Sequence, residues 1–424
     1  MSEAAEAAAA KPIRGPRAWW VLLGLVAGIA LGALAARLGD GLREPALKFA
    51  SAAGGMWLNA LKMTVIPLIV ALLITGLAQG AQAARAGGIA ARSIVWFVVI
   101  YIASATLGGL LMPVLLEAFP LGQGAAESLR TGLAALPADA VPAQVPGLAD
   151  FFTGIIPSNV VSSAANGDVL QLVVFAVLFA LAVSTIADER RRSVVGFFDG
   201  VADALLVVIG WVLWLAPYGV FALAFAVGAG SGGAAFAALL HYILLVTAIG
   251  GIVTLAAYPV AIIAGRLPLP AFARAMVAPQ AMAVSTESSL ACLPPMLASA
   301  RILGMRQRVA DVTLPMAVAL FRATGPAMNI AVAIYAAHMM GVQIDGVSLA
   351  AGIAVAALAS IGAVSLPGQV SFFTSIAPIA IAMGVPIAPL ALLVAVETIP
   401  DMMRTVGNVT MNVAVTAAVD RQDA

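Results

Sequence analysis

Charge is what this sequence has least of. Only 10% of its 424 residues are Asp, Glu, Lys or Arg, whereas 62% are hydrophobic, and the mean hydropathy is +1.07. A soluble domain carries about 25% charged residues. A water-facing surface of this size cannot be built from so few, and the bilayer is the solvent that fits. Cysteine is almost missing: Cys292 stands alone, which excludes an intramolecular disulfide and a multi-cysteine zinc site. His241 and His338 each lie in an apolar run and read as packed or interfacial residues rather than metal ligands. Neither has a plausible catalytic partner nearby, which argues against an intramembrane enzyme. No basic stripe offers a nucleic-acid surface, and no cofactor or metal is implied.

What is present is apolar sequence in spanning lengths. Stretches near 19–37, 50–80, 88–117, 168–187, 200–228 and 236–265 precede four more near 270–300, 309–340, 348–385 and 387–417. Lys11, Arg14 and Arg17 before the first suggest a signal peptide, but the run is about a full span long and reads as a retained helix. Two later stretches are interrupted at their middles. One holds Ser285, Thr286, Glu287, Ser288 and Ser289, then Pro294 and Pro295; the other runs from Ser360 through Ser365 to Pro367 and Gly368. Irregular backbone at membrane depth is tolerated only where it is buried in protein or lines a cavity. A pair of interrupted segments is a pointer to a transporter's binding site.

The expected fold is therefore an all-α membrane protein with eight transmembrane helices and two re-entrant helical hairpins. Residues 1–18 form an N-terminal tail and 19–265 the first six spans. Residues 266–417 form a transport core of hairpin 1 (about 270–300), span 7 (309–340), hairpin 2 (348–385) and span 8 (387–417), leaving a tail at 418–424. With both termini cytoplasmic, most arginines, including Arg190, Arg191, Arg192, Arg301, Arg306 and Arg308, fall inside, and only Arg37, Arg43, Lys48 and Arg130 fall outside. That bias has the sign of the positive-inside rule. It makes the hairpins open to opposite sides, an inverted repeat. The Ala-, Pro- and Gly-rich 118–150 reads as an external connection.

Span 8 carries Glu397, Asp401, Arg404, Asn408 and Asn412 at spacings of 4, 3, 4 and 4, flanked by Thr405. That spacing stacks them on one helix face. Intramembrane charges normally face a bundle interior or cavity. The bland reading is a structural ion-pair network. The functional one is a zwitterion site, with Arg404 gripping a carboxylate as a two-pronged donor and Asp401 an ammonium. In span 7, Phe321-Arg322-Ala323-Thr324-Gly325-Pro326 predicts a broken helix. Carbonyls freed there could hold a cation or ligand group, while Arg322 either serves the site or only fixes packing against Glu287 or Glu397.

These residues resemble the dicarboxylate/amino acid:cation symporter family, the glutamate-transporter fold, over nearly the whole chain. The resemblance rests on several pieces in order. They are Leu61-Lys62-Met63 with Pro67-Leu68-Ile69, Ile156-Pro157-Ser158-Asn159, Ala216-Pro217-Tyr218-Gly219, Ser288-Ser289 with Leu293-Pro294, Ala359-Ser360-Ile361-Gly362 with Pro367-Gly368, and Asp401 through Thr410. The resemblance implies that Asp401 binds a substrate amino group and Arg404 a side-chain carboxylate. Asn408, Ser288 and Ser289 would hold the α-carboxylate, with Thr405, Ser365, Pro367 and Gly368 lining the site. It also implies a homotrimer in the cytoplasmic (inner) membrane, working by elevator-like alternating access on a small anionic substrate.

Departures from the family pattern concern the coupling ion. The family's span-7 Asn-Met-Asp-Gly-Thr falls on Phe321 to Gly325, so Thr324 and Gly325 stand in its last two places. A sodium-binding aspartate falls on Asn412, further sodium ligands on Phe97, Ile100 and Tyr101, and a hairpin arginine on Glu287. Arg322 then reads as a tethered cation. Glu287, Arg322, Glu397, Asp401 and Arg404 sum to −1, which one proton on a carboxyl would neutralise. The expectation is sodium-independent transport of a dicarboxylate or acidic amino acid, by proton coupling or exchange. The alternatives are a sodium-coupled symporter using residual backbone sites and a substrate-gated anion channel or sensor.

Overall fold

The computed structural model describes residues 18–36, 40–85, 87–122, 127, 131, 156–231, 234–361 and 368–423. Every regular element among them is helical. The first half comprises α1 (Ala18–Ala35), α2 (Asp40–Arg85), α3 (Gly88–Ala118), α4 (Val160–Asn166), α5 (Val169–Val183), α6 (Asp188–Trp214), α7 (Ala216–Ser231) and α8 (Ala234–Pro259), the last prolonged by a π-helical turn, Val260–Ala264. The second half comprises α9 (Leu269–Thr286), α10 (Leu293–Ile302), α11 (Gln307–Leu320), α12 (Gly325–Met340), α13 (Gly346–Ile361), α14 (Gly368–Ala382), the single turn α15 (Leu390–Leu393) and α16 (Thr398–Asp423).

Local chemistry sets many of the boundaries. Asn159 caps α4 by accepting from the backbone N–H groups of Val161 (2.9 Å) and Ser162 (3.1 Å), and Gly167 ends it in the left-handed conformation at φ 78°. The apolar stretch 200–228 is not one span, contrary to the sequence reading. It divides at Leu215, because Pro217 brings no N–H to continue α6 and instead suits the first turn of α7. The interruption in 270–300 is a turn at residues 287–292 between α9 and α10, which pack on each other. Ser299 donates to the Ala275 carbonyl (2.7 Å) across that pair. Glu287 takes φ 51° at the end of α9, a left-handed conformation costly for a residue with a side chain.

Five segments among the described residues are long and apolar enough to cross a membrane: Arg43–Gln82, Gly88–Ala118, Asp188–Trp214, Ala235–Ala264 and Gln307–Met340. Large apolar side chains also point outward. Val95, Val99, Ile102, Leu110 and Val114 mark one exposed face of α3, and a contiguous apolar face suits lipid or a partner rather than water. Two cores form inside. The larger gathers α1, α2, α5 to α8 and α12 to α15; the smaller gathers α9, α10, α11 and α16 with the early residues of α3. The break between α11 and α12 lies where the two meet.

Candidate functional site

The charged face of α16 builds the centre of the site. Glu397 sits one residue before the helix, after the 3-10 turn Val394–Val396, yet its carbonyl already accepts from the Asp401 N–H (2.8 Å). Helical register thus runs back through it, and the spacing read in the sequence holds. Arg404 donates from one terminal nitrogen to Glu397 Oε1 (2.6 Å) and from the other to Asp401 Oδ1 (2.9 Å). The second oxygen of Glu397 accepts from the Tyr242 hydroxyl on α8 (2.6 Å). Glu397 is 2% and Arg404 7% exposed, so the ion-pair network expected as the bland reading exists. It is not saturated, because the buried Nε–H of Arg404 has no partner among the described residues.

Other expected residues gather around this triad. Asn408 Oδ1 accepts from both the backbone N–H (3.0 Å) and the hydroxyl (2.7 Å) of Thr324, which also reaches the Arg404 carbonyl (2.9 Å). The α16 face is thereby pinned to the α11–α12 break. Gly407 permits the approach, since a Cβ there would run into the side-chain methyl of Thr324. Arg322 lies in the break, drawn to Asp401 and repelled by Arg404, and the Glu287 carboxylate on the α9–α10 turn is repelled by Asp401. Ser288 and Ser289 sit half-buried on that turn, and the Ser288 hydroxyl accepts from the Ala291 N–H (3.3 Å). The Thr405 hydroxyl is turned to its own helix, donating to the Asp401 carbonyl (3.0 Å). Gly325 and Gly368 open α12 and α14. Ser365 and Pro367 lie outside the described residues. Asn412 is fully buried one turn beyond Asn408, and both its Oδ1 and Nδ2 lack a partner among the described residues.

The break differs from expectation in one respect. Two of the carbonyls expected to be free are already taken by side chains of α3. The Tyr101 hydroxyl donates to Leu320 O (2.6 Å) and accepts from the Arg322 N–H (3.0 Å). Ser104 Oγ donates to Ala323 O (2.5 Å) and accepts from the Ala327 N–H (3.3 Å). Sequence reasoning gave neither residue a role in holding the break, and it missed Tyr242. The only available signal was a lone hydroxyl within an apolar helix. His241, beside Tyr242, bridges Phe119 O (2.6 Å) and the Tyr335 hydroxyl (3.0 Å), which makes it a packed residue at a helix end.

Chemically, the arrangement offers a desolvated guanidinium with spare donors, two carboxylates and a second cation close by. That suits reversible binding of an anion or zwitterion. The family model described as "Sodium:dicarboxylate symporter family" matches residues 18–422. The "Proton/glutamate-aspartate symporter" of Escherichia coli (strain K12) is 27% identical over 405 residues, covering 95% of this chain and 92% of the relative. The "Proton/sodium-glutamate symport protein" of Bacillus subtilis (strain 168) is 28% identical over 417 residues, covering 95% and 91%. The "C4-dicarboxylate transport protein" of Anaeromyxobacter sp. (strain K) is 27% identical over 403 residues, covering 95% and 88%.

Proposed function

The chain belongs to the sodium:dicarboxylate symporter family, a family of multi-pass membrane transporters and not of enzymes, and from that premise we propose that it carries an acidic amino acid or a dicarboxylate without sodium. The observation that carries the substrate class is the buried, incompletely satisfied guanidinium of Arg404. A buried N–H without a partner is costly, and a substrate carboxylate supplies the missing acceptor through a charge-assisted bond. As the carboxylate docks on Arg404, Asp401 is released to meet an ammonium group if the substrate has one. The relatives named for glutamate, aspartate and C4-dicarboxylates support this reading.

Eight spans, with α5 and α6 together as the fourth and α7 as the fifth, and two oppositely opening re-entrant hairpins, α9–α10 and α13–α14, fit a trimer in the cytoplasmic membrane with both termini inside. Residues 266–417 would form the mobile core of an elevator-like carrier. Arg322 supplies a fixed positive charge where a mobile cation would otherwise sit, and protonation of Glu397 or Glu287 would neutralise the site's excess negative charge. Exchange without a coupling proton is the other sodium-independent form. One observation favours a residual cation site instead, namely the buried amide of Asn412, which has no partner among the described residues. If that reading held, Asn412→Leu would abolish a sodium response of the wild type.

Binding of radiolabelled L-glutamate, L-aspartate and succinate to the purified chain tests the assignment. Arg404→Ala should abolish binding of all three, and Arg404→Lys should be impaired, because a point charge does not replace a planar fork. Asp401→Asn should weaken the amino acids far more than succinate. Full-strength binding by Arg404→Ala would refute the site. Uptake into liposomes separates a carrier from a sensor, which binds without accumulating substrate.

A further inference from the structure

The break between α11 and α12 exposes backbone carbonyls deep in the protein, and a transporter needs that backbone in one defined shape to hold its substrate. Here the shape is held by hydroxyl groups of a neighbouring helix. Tyr101 is 2% and Ser104 5% exposed. Each acts as donor and acceptor at once, and each spans a gap in the helical hydrogen-bond ladder. Tyr101 joins Leu320 O to the Arg322 N–H. Ser104 sits between Ala323 O and the Ala327 N–H, relaying the bond that would be the first four-residue rung of α12. The next rung, Met328 N–H to Thr324 O (3.0 Å), is direct.

Packing keeps these hydroxyls in place. The Phe97 and Phe321 rings stack at 4.3 Å and 9°, and the Tyr101 ring lies 5.5 Å from Phe321, so three aromatic rings fill the space beside the break. Gly108 lets α3 lie directly on α12, since a Cβ there would meet the Ala327 carbonyl carbon at 2.7 Å. From the other side, Asn408 holds Thr324. A bare cation is attracted to a break because its carbonyl oxygens lack donors. At Leu320 and Ala323 donors are already built in.

We propose that Tyr101 and Ser104 are positioning residues that hold the α11–α12 break permanently in its substrate-ready shape, the task a bound cation would otherwise perform. This rests on the sodium-independent reading and adds its structural cause. The consequence is that the site is formed before any ion arrives, and that removing the hydroxyls together with the Arg322 charge creates a cation dependence the protein does not have.

Hydrogen–deuterium exchange of the full-length chain in detergent tests this without knowledge of the substrate. Backbone amides of residues 320–325, 327 and 328 are followed in choline chloride and then in sodium chloride. Wild-type exchange should be slow and indifferent to the cation. Tyr101→Phe, which keeps the ring, should speed exchange at Arg322, and Ser104→Ala should speed it at Ala327, each by about threefold to tenfold, the worth of one hydrogen bond. With the fixed charge also removed by Arg322→Met, sodium should slow both variants again, a response that a purely structural role would not produce, and Ser104→Thr should behave as wild type. Wild-type exchange slowed by sodium would overturn the sodium-independent reading itself. An indifferent wild type with unaccelerated variants, or with acceleration that sodium does not reverse once Arg322→Met is added, would overturn only the role given to Tyr101 and Ser104.

Discussion

Two clusters of Arg and Asp or Glu sit at opposite ends of α16, with roughly 24 Å of helix between their nearest members, Arg404 and Asp420, by its rise per residue. They use the same pair chemistry in different solvents. At the C-terminal end, Asp423 meets Arg92 (2.9 Å) and Arg308 (2.5 Å), and Asp420 meets Arg306 (2.9 Å). Those arginines are between a third and two thirds exposed. At the other end, Glu397 and Arg404 are almost wholly buried. Exposed pairs contribute little, and this set ties the end of α16 to α3 and to the start of α11. A buried charge is expensive unless paired, so a buried cluster with an unused guanidinium donor is maintained at a cost in stability. That cost is intelligible if the donor has a ligand. Charge count separates the clusters as well: two carboxylates face one guanidinium in the buried cluster, while two carboxylates face three guanidiniums in the exposed one.

Breaking the buried cluster should have the largest effect. Arg404→Ala leaves Glu397 buried and uncompensated, which should cost about 3–5 kcal/mol, read by thermal or denaturant unfolding in detergent. Replacing the pair together, as Glu397→Gln with Arg404→Met, should recover part of that stability while leaving substrate unbound. Recovery of binding in the double variant would assign the cluster to packing alone. A smaller effect is expected from Tyr242→Phe, which removes the neutral donor that completes Glu397. Bonds to charged groups are worth about 1.5–3 kcal/mol, so stability should fall by that order. Uptake driven by a pH gradient should weaken too if Glu397 carries the proton; an unaffected proton response would move that role to Glu287.

The smallest effect belongs to the exposed cluster. Partial desolvation opposes the charge on Asp423, but Arg308, Arg92 and Arg306 together hold its carboxyl below the 3.8 of an ordinary aspartate. A depressed folded-state value means that the contribution is present above 3.8 and is lost as pH falls through the lowered value. Asp423→Asn should therefore be nearly silent at low pH, slightly destabilising at neutral pH, and without effect on substrate affinity. A large loss of binding would contradict the contrast between the two ends.

Much of this site is legible in the sequence because it is written in local rules. Pro326 and its neighbours announce the break, and α11 stops at Leu320 while α12 starts at Gly325. The spacing from Glu397 to Asn408 survives even though Glu397 lies just outside the helix. The division of 200–228 at Leu215 was missed because hydropathy does not change there; only Pro217 marks it. The clamps on the site were not legible for a different reason. Tyr101 and Leu320 are 219 residues apart, as are Ser104 and Ala323, and Tyr242 and Glu397 are 155 apart. Which hydroxyl meets which carbonyl depends on how helices pack, and in a uniformly apolar sequence no periodicity records that.

Whether the chain carries its substrate without sodium is read from uptake of labelled substrate into liposomes, with sodium and proton gradients imposed separately. Uptake should be undiminished when choline or potassium replaces sodium on both sides, and should either accelerate under an inward proton gradient or proceed as gradient-free exchange. A requirement for an inward sodium gradient would overturn sodium-independent carriage.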